Sequence, residues 1–453
     1  MIAPVLPSAH RAFAERNLPR YTSYPTALAF DSAQAATAEA WFGATRPEDR
    51  LSVYVHVPFC RRLCWYCGCN TSVVHDHGRV DAFVGVLTRE IDLVANRLGD
   101  HAGLAHLHFG GGSPNALRPE DFQVLVERLK DAFRVRPGAE IAVELDPGLL
   151  SQAFIEAAGA AGVTRASLGV QTFDPEVQAS VNRVQPFEQV ARAVEGLRDV
   201  GVSGLNFDLM YGLPGQTPDN VFASASLAAQ MRPDRVAVFG YAHVPWMKKH
   251  QVMIRQADLA GLDGRWAQAE AADAALVESG YVRIGLDHYA LPEDPLCKAA
   301  SEGRLRRNFQ GYTDDPAPVL APIGPSSIGQ FRDGFVQNHT ATDAWAARVN
   351  QGLLPLNKAL PINAEDRTRA ALIERLMCDM TVDVAIVCRD HGTSEEDLAE
   401  SLMAIDDLAH AGLCSREGTV ITIPETSRRL MRVVAAAFDA HLQQATTRHA
   451  RAV

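Results

Sequence analysis

Four of the eight cysteines of this chain fall within ten residues, in the sequence VHVPFCRRLCWYCGCN at positions 55–70. The clustered cysteines are Cys60, Cys64, Cys67 and Cys69. Thiolates two or three residues apart can surround one iron–sulfur cubane, whereas a structural zinc site usually takes two ligand pairs separated by a longer loop. His56, His75 and His77 lie close enough in the sequence to complete a zinc site. The spacing therefore favours an iron–sulfur cluster and leaves zinc open.

The hydropathy pattern indicates a cytoplasmic protein. The sequence has no run of about 18 apolar residues that could span a membrane, and its first residues lack the apolar core of a secretory signal. In a reducing cytosol the clustered thiols are expected to bind a metal or do redox chemistry and not to form disulfides. We assign no role to the isolated cysteines, which we expect to be buried or inert; they are Cys297, Cys378, Cys388 and Cys414.

Composition limits the partners of this chain. Its 453 residues include 43 Lys and Arg against 54 Asp and Glu, for a net charge of −11. Such an acidic balance argues against nucleic acid or an anionic membrane surface as the partner. A local basic pocket could still hold an acidic substrate.

Strand-like and helix-like segments alternate over the first half of the chain. Apolar β-branched runs predict strands at residues 51–57, 104–109, 141–145, 165–170, 205–210 and 235–239. Helical spacing predicts helices at residues 80–98, 119–133, 151–161, 187–200 and 220–231. This alternation indicates an α/β protein, and we predict a partial parallel (β/α)6 TIM-like barrel. The cysteine loop follows the first strand, at the carboxyl end where such folds carry their sites.

We predict four parts along the chain. Residues 1–48 form an N-terminal segment covering the active site, 49–245 the barrel, 246–360 its extension with ordered loops, and 361–453 a small C-terminal helical domain resembling a winged helix. The Pro- and Gly-rich stretch 308–329 is predicted as ordered loop. In the last part we predict helices at 367–377 and 395–411, a hairpin at 412–424 and a final helix at 428–442.

The motif C-x3-C-x2-C after a first strand resembles that of the radical S-adenosylmethionine (SAM) enzymes. Further motifs make the chain similar to one family among them, the oxygen-independent coproporphyrinogen III oxidases. These motifs include RYTSYPTALAF at 20–30, GGGSPN at 110–115, NFDLMYGLPGQT at 206–217 and RRNFQGYT at 306–313. The resemblance implies an oxidoreductase of haem biosynthesis that converts two propionates of coproporphyrinogen III to vinyl groups, giving protoporphyrinogen IX through a 5′-deoxyadenosyl radical.

The resemblance also implies one 4Fe–4S cluster, two SAM molecules and a residue set for each. Cys60, Cys64 and Cys67 would bind the cluster, and Cys69 matches a further cysteine that the family needs for activity. The residues expected to contact the first SAM are Tyr54, Gly111, Glu144 and Ile328. Those expected to contact the second are Tyr66, Gly112, Ser113, Gln171, Arg183, Asp208 and Ala242.

Two departures and three candidate arginines complete these expectations. The family usually has threonine where this chain has Ser113, and is richer in glycine where it has Pro322 and Pro325. Carboxylates of the substrate call for cationic partners. The candidates are Arg20, Arg306 and Arg307.

The expected partners are coproporphyrinogen III and a reducing donor of flavodoxin or ferredoxin type, with the chain acting as a monomer. The competing interpretations are a haem-binding or haem-transfer paralogue, another radical SAM enzyme acting on porphyrins, and a zinc-stabilised structural protein. Relatives of the haem-transfer type typically lack the fourth cysteine and the RYTSYPT segment. Both features are present here, which favours the oxidase.

Overall fold

The computed structural model describes residues 6–442. They form two compact units, each built from several stretches of the chain. We call residues 30–208 and 315–361 the cysteine unit, because they contain the cysteine loop. We call residues 6–29, 209–314 and 362–442 the arginine unit, after the arginine side chains described below. The four-part division predicted from the sequence stays a prediction.

The described strands are β1 Leu51–Val57, β2 Phe59–Cys60, β3 Ser72–Val73, β4 Leu104–Gly111, β5 Val135–Leu145, β6 Arg165–Gln171, β7 Gly204–Tyr211, β8 Arg235–Gly240, β9 Val282–Ile284, β10 His288–Ala290, β11 Arg306–Asn308, β12 Gly311–Thr313, β13 Val319–Ile323, β14 Ile328–Phe331, β15 Gly334–Asn338, β16 Leu356–Pro361, β17 Thr381–Asp383, β18 Ser415–Glu417 and β19 Val420–Thr422.

The described α-helices are α1 Arg11–Ala14, α2 Ala40–Gly43, α3 His77–Arg97, α4 Pro119–Ala132, α5 Gln152–Ala160, α6 Pro175–Ser180, α7 Phe187–Asp199, α8 Pro218–Gln230, α9 Leu262–Glu278, α10 Pro295–Ser301, α11 Thr342–Asn350, α12 Ala364–Asp379, α13 Val384–His391, α14 Ala399–His410 and α15 Met431–Ala435. All six strands and all five helices predicted over residues 51–239 are present, with ends that differ by a few residues.

The α/β class is confirmed, whereas the sheet is more mixed than a parallel barrel. The cysteine unit has the strand order β16-β15-β14-β13-β1-β4-β5-β6, and β7-β8-β10-β9 follow in the same ordering. Strands β13, β1, β4, β5 and β6 pair in parallel, while the pairs from β13 to β16 and from β8 to β9 are antiparallel. Among residues 6–442 these twelve strands do not close into a barrel.

One correction concerns the stretch predicted as ordered loop at 308–329. It contains β13, which is buried at every residue and pairs in parallel with β1, Tyr54 opposite Pro322. Proline lacks the N–H that a central strand normally donates, and this made the segment read as loop. Only one residue pair, Leu320 with Gln330, joins β13 to β14 on its other side. The missing N–H of Pro322 therefore removes few hydrogen bonds between β13 and β14.

A second correction concerns the end of the chain. In place of one helix over 428–442, α15 is flanked by 3-10 turns at Glu425–Leu430 and Ala436–Phe438. Asp439 then takes an extended conformation, with φ −85° and ψ 95°. Its carboxylate accepts a hydrogen bond from the Tyr21 hydroxyl at 2.9 Å, and Ala440 N donates to Tyr24 Oη at 3.0 Å. These tertiary contacts fix a conformation that continued helix could not adopt.

The predicted hairpin in this region is confirmed as β18 and β19, and β17 adds a third strand. Helix α13, between β17 and the hairpin, was not predicted. The likeness of residues 361–453 to a winged helix stays a prediction. Within residues 6–442 no helix is long and apolar enough to cross a membrane.

Candidate functional site

The four clustered cysteines lie between β1 and α3, on a loop that short strands brace. Strand β2, which ends at Cys60, pairs in parallel with β3. Cys67 N donates to Cys64 O at 3.1 Å, and Cys69 N donates to Cys67 Sγ at 3.4 Å. Cys64 is buried, Cys60 and Cys67 are half-buried, and Cys69 is exposed. The loop thus offers three sheltered thiols and one open to solvent.

Two of these thiols, Cys60 and Cys69, have a raised pKa. Burial raises the pKa of Cys60 to about 11, although a hydrogen bond with Thr71 opposes the shift. A hydrogen bond with Cys67 raises the pKa of Cys69. Among residues 6–442 no three His, Cys, Asp or Glu side chains are grouped so that they could hold a metal ion. Since metals bind thiolates, a metal at Cys60 would have to displace the proton of that thiol.

The histidines that could have completed a zinc site are otherwise placed. His56 contacts the Tyr54 hydroxyl through Nδ1 at 3.2 Å and Asn70 O through Nε2 at 2.8 Å. His75 and His77 are exposed at the start of α3. His56 is therefore engaged by its neighbours, and His75 and His77 face solvent.

The glycine run at the end of β4 is explained by close packing. A Cβ atom at Gly110 would lie 2.7 Å from Glu144 Oε1, and one at Gly111 would lie 2.7 Å from the His56 ring. A Cβ atom at Gly112 would lie 2.5 Å from both Phe59 O and Thr71 Oγ1. Gly111 also has φ +113°, which favours glycine. The run is therefore required where β4 meets the cysteine loop.

Glu144 is the second-last residue of β5, beside the glycine run, and its carboxylate is ionised. Its Oε1 contacts His108 Nε2 at 2.9 Å, and its Oε2 accepts a hydrogen bond from Gly111 N at 3.3 Å. Burial opposes ionisation, but these two hydrogen bonds and the charge of His108 lower the pKa of Glu144. The ring of Tyr54 stacks on His108 at 5.8 Å. Tyr54, Gly111 and Glu144, all expected at the first SAM, therefore lie in one neighbourhood.

Arg183 connects the strand ends to the cysteine loop. Its Nη1 donates to Cys64 Sγ at 3.5 Å and to Asp146 Oδ2 at 3.1 Å, and its Nη2 donates to Gly169 O at 2.6 Å. Its buried Nε has no hydrogen-bond partner in the structure. The interaction with Arg183 also lowers the pKa of Tyr66, but burial outweighs it and raises that pKa overall. Arg183 and Tyr66, both expected at the second SAM, thus lie next to Cys64.

Gln171 and Ser113 differ in how their polar atoms are used. Gln171 ends β6 with a left-handed φ of +66°, and its buried Oε1 has no hydrogen-bond partner. Strained conformations of this kind cluster at functional sites. The hydroxyl of Ser113 donates to Asn115 Oδ1 and accepts from Asp146 N at 3.2 Å. Ser113 is therefore engaged in holding the strand ends, while Gln171 leaves an acceptor for a ligand.

Asp208 lies in β7 and is the most perturbed carboxyl of this group. Burial raises its pKa to about 7, and the nearby charge of Glu144 adds to the shift. His108, Arg183 and a hydrogen bond from Ser167 oppose it. Two carboxyls thus interact electrostatically in one place, one of them ionised and one titrating near neutrality. Such pairs are typical of functional sites.

Ile328 begins β14, opposite Gln337 of β15. The turn before it is anchored by the buried Glu90, whose Oε2 accepts hydrogen bonds from Gly324 N at 2.6 Å and Trp345 Nε1 at 2.9 Å. Asn338 Nδ2 donates to Glu90 Oε1 at 2.8 Å. The prolines that depart from the family pattern are therefore compatible with a well-bonded turn.

Ala242 and the candidate arginines lie in the arginine unit. Ala242, Arg20 and Arg307 line a cavity of about 580 Å³. Arg306 does not line it, and its Nε lies 3.6 Å from the Glu374 carboxylate. Sequence reasoning missed the other arginines of this cavity, and in the cysteine unit it missed His108 and Glu90. His108 stands two residues before the glycine run, a position that could have drawn notice.

Comparison with known proteins defines the class first. The radical SAM superfamily model matches residues 54–228. The oxygen-independent coproporphyrinogen III oxidase of Bradyrhizobium diazoefficiens is 45% identical over 443 residues, covering 98% of each chain. The enzyme of the same name from Paracoccus denitrificans is 41% identical over 441 residues, covering 97% of each chain.

A solved structure agrees with these relatives. The coproporphyrinogen III oxidase of Escherichia coli, described as a radical SAM enzyme, matches with a TM-score of 0.89 at 34% identity, covering 94% of this chain and 100% of that one. The chain therefore belongs to the family of oxygen-independent coproporphyrinogen III oxidases. Membership of the radical SAM superfamily implies a 4Fe–4S cluster and SAM as cofactors.

Proposed function

We propose that this protein catalyses the anaerobic oxidative decarboxylation of two propionate side chains of coproporphyrinogen III, giving protoporphyrinogen IX. The observation that carries the proposal is the position of Arg183, which bonds to both Cys64 and Asp146 and keeps a buried N–H without a partner. This arrangement joins the cysteine loop to the strand ends that carry Glu144 and Asp208. It suits a site in which a metal cluster and a polar cofactor are held together.

Cys60, Cys64 and Cys67 would hold the cluster. They are the sheltered thiols of the loop, and three thiolates leave one iron of a cubane open for a further ligand. Cys69 is exposed and bonds through its N–H to the Cys67 sulfur. This contact supports a catalytic role for Cys69 beside the three proposed ligands, without a role in binding iron.

For the first SAM we assign Tyr54, Gly111, Glu144 and Ile328. The ionised carboxylate of Glu144 suits the cationic amino and sulfonium groups of this cofactor. Gly111 allows backbone to approach a ligand where a side chain would strike His56. Glu90 acts as a positioning residue for the Ile328 turn through Gly324.

For the second SAM we assign Tyr66, Gly112, Ser113, Gln171, Arg183, Asp208 and Ala242. The fit rests on two buried polar atoms that have no hydrogen-bond partner in the structure, Gln171 Oε1 and Arg183 Nε. An unsatisfied buried acceptor or donor is costly, so a ligand that pairs with it gains affinity. Gln171 can accept from an amino group or hydroxyl, and Arg183 can donate to a carboxylate. Both groups occur in SAM.

A cluster held by these cysteines would pass an electron from the external donor to SAM, and this chemistry would supply a 5′-deoxyadenosyl radical for removing a hydrogen atom from the β-carbon of a propionate. Loss of carbon dioxide and one electron from the resulting substrate radical would leave a vinyl group. Each propionate thus needs one hydrogen abstraction and one electron acceptor. The protein orients the reacting carbon and excludes water from the radical.

The remaining parts of the proposal concern context. A reducing donor of flavodoxin or ferredoxin type supplies the electron, the chain acts as a monomer, and it works in the cytoplasm. The net charge of −11 supports the absence of a nucleic-acid partner.

The proposal is tested by incubating the reconstituted full-length protein with coproporphyrinogen III, SAM and a reductant without oxygen. We expect protoporphyrinogen IX, and no product from the Cys69→Ala variant. A protein that binds haem and passes it on without consuming SAM is a haem-transfer paralogue, and the proposal then fails. Cleavage of SAM with a different porphyrin product would identify another radical enzyme.

A further inference from the structure

The cavity of about 580 Å³ is lined entirely by residues of the arginine unit. Its size is within the range of ligand pockets in proteins. Five of its lining residues are arginines, namely Arg20, Arg265, Arg307, Arg429 and Arg432. Among the described residues that line it, the only acid is Asp287. The cavity is therefore strongly cationic in a chain whose net charge is −11.

Asp287 neutralises only part of this charge. Burial opposes its ionisation, but Arg307, with Nη1 3.8 Å from Asp287 Oδ1, and a hydrogen bond from His288 hold the pKa of Asp287 well below its usual range. Arg429 is paired with Glu270, which is not a lining residue. Among the described residues that line the cavity, Asp287 is thus the one carboxylate, and its ion pair is with Arg307.

The crowding of positive charge is visible in Arg432. Burial lowers the pKa of Arg432 to about 10, and the charges of Arg20 and Arg307 lower it further. Buried charges of one sign are stable only when opposite charges accompany them. An anion in the cavity would relieve this repulsion.

Arg307 is oriented in advance for such an anion. Its Nε donates to Tyr21 O at 3.1 Å, its Nη2 donates to Arg20 O at 3.3 Å, and its guanidinium lies 4.3 Å over the Tyr312 ring. Its buried Nη1 has no hydrogen-bond partner in the structure. The guanidinium plane is thus fixed while one nitrogen remains available to a ligand.

The other walls of the cavity are largely apolar. They include Val238, Phe239, Leu259 and Leu286, together with the Trp246 ring, which is 55% exposed. Aromatic and aliphatic walls suit a large apolar body, whereas the arginines suit carboxylates. A ligand that combines a macrocycle with several carboxylates satisfies both.

We propose that this cavity binds the propionate carboxylates of the tetrapyrrole substrate, with Arg307, Arg432 and Arg265 as the anion ligands. The proposal rests on the proposed function for the identity of the substrate. It also corrects the set of candidate arginines, because Arg306 lies outside the cavity. Ala242, expected at the second SAM, lines the cavity as well. The carboxylate could therefore belong to SAM, and the test separates the two sources.

The test titrates coproporphyrin III, the stable oxidised form of the substrate, into the full-length protein and follows Trp246 quenching and porphyrin fluorescence. Its tetramethyl ester, which has the same macrocycle and no carboxylates, serves as the matched ligand. The variants are Arg265→Gln, Arg432→Gln and the control Arg306→Gln, which changes the neighbour of Arg307 outside the cavity. SAM binding is measured on each variant.

We expect the acid to bind far more tightly than the ester. Arg265→Gln and Arg432→Gln should raise Kd for coproporphyrin III about tenfold to a hundredfold, the factor that a hydrogen bond to a charged group contributes. Arg306→Gln should bind as the parent does, and SAM binding should be unchanged throughout. If Arg432→Gln does not fold, as judged by thermal melting, Arg265→Gln decides.

Equal binding of acid and ester, or unchanged Kd in Arg265→Gln, overturns the proposal. Weaker binding of SAM alone overturns it too, because the carboxylate then belongs to the cofactor. The reaction is judged separately. Suppose that the unmodified protein makes protoporphyrinogen but the cavity variants bind coproporphyrin III with an unchanged Kd. The cavity proposal then fails, and the proposed function still holds. If instead the unmodified protein binds coproporphyrin III through these arginines but makes no protoporphyrinogen, the result supports the cavity as a binding site and contradicts the proposed reaction.

Discussion

The two units hold sites of opposite electrostatic character. In the cysteine unit the thiol loop is accompanied by two carboxyls, Glu144 and Asp208. In the arginine unit five guanidinium groups share a cavity with one carboxylate. Burial raises the pKa of Asp208 to about 7 and lowers the pKa of Arg432 to about 10. Burial thus perturbs a carboxyl group in one unit and a guanidinium group in the other.

This difference indicates two ligands of opposite charge. SAM carries ammonium and sulfonium groups, which suit carboxylates, whereas a tetrapyrrole with four propionates suits arginines. The net charge of −11 conceals this division, because charge counted over a whole chain does not describe a local pocket. The comparison predicts that changes in one unit weaken one ligand and spare the other.

The largest effect is expected in the cysteine loop. Cys60→Ala, Cys64→Ala and Cys67→Ala should each reduce iron from about four atoms per chain to almost none after anaerobic reconstitution, because each removes a cluster ligand. Cys69→Ala should keep its iron, and so should the control Cys297→Ala, which changes a half-buried thiol of the arginine unit. Iron and sulfide analysis gives the result.

Coproporphyrin III binding should survive all of these changes. If all three ligand variants retain a full cluster, the assignment of the thiols is wrong. Loss of iron in Cys69→Ala makes that residue a ligand.

The next effect concerns the glycine run. Gly112→Ala places a methyl group 2.5 Å from Phe59 O and Thr71 Oγ1, so we expect the free energy of unfolding to fall by about 1–3 kcal/mol and SAM binding to weaken. Gly68→Ala is the control, since no atom lies within 4 Å of its added Cβ. Denaturant titration and equilibrium dialysis measure both. Equal stability of the two variants contradicts the close packing described here.

Above pH 7, where the Asp208 carboxyl is ionised, Asp208→Ala should weaken binding of the second SAM about tenfold to a hundredfold, because it removes a charged hydrogen-bond acceptor. Binding of the first SAM should persist, so equilibrium dialysis should show the stoichiometry falling from two toward one at moderate concentration. Coproporphyrin III binding is the internal control and should not change. If the unmodified protein binds only one SAM molecule and still makes the vinyl product, the assignment of a second SAM site is wrong.

The raised pKa of Asp208 predicts a pH dependence of stability. The folded protein holds this proton up to about pH 7, whereas the ordinary pKa is 3.8. The folded state therefore binds more protons, and the free energy of unfolding should fall as pH rises between these values and level off above them. Asp208→Asn should flatten this slope in denaturant titrations. The control Asp199→Asn, at an exposed position, should keep it.

The smallest effect is expected at Arg20. Its side chain is exposed, and its Nη2 donates to Gly240 O at 3.1 Å. Exposed ion pairs contribute little, so Arg20→Gln should raise Kd for coproporphyrin III about fivefold at most. The effect should shrink as salt is added. A loss as large as that of Arg265→Gln contradicts the ranking of exposed and sheltered arginines.

The sequence was sufficient for the first half of the fold, because long β-branched and helical patterns alternate there. It failed at β13, where Pro322 disguises a buried strand of five residues. It failed again after residue 428, where the contacts of Tyr21 and Tyr24 with a distant segment end the helix. In both places a tertiary partner, absent from any local pattern, decides the conformation.

The residues of the candidate sites also fall into two groups, those that the sequence indicated and those that it did not. The thiol spacing and the glycine run are local in the sequence, so they were recognisable. The pairing of His108 with Glu144 joins residues 36 positions apart, and the cavity gathers Arg20, Arg307 and Arg432 from three stretches of the chain. Nothing in one sequence indicates that such residues meet.

The central claim is that a radical formed in this protein removes hydrogen from the propionate β-carbon of the tetrapyrrole. The most direct measurement uses coproporphyrinogen III deuterated at those carbons, incubated without oxygen with the reconstituted protein, SAM and a reductant. Mass spectrometry should find deuterium in the 5′-deoxyadenosine, with two such molecules formed for each protoporphyrinogen. Unlabelled 5′-deoxyadenosine, or vinyl product formed without it, would contradict the account.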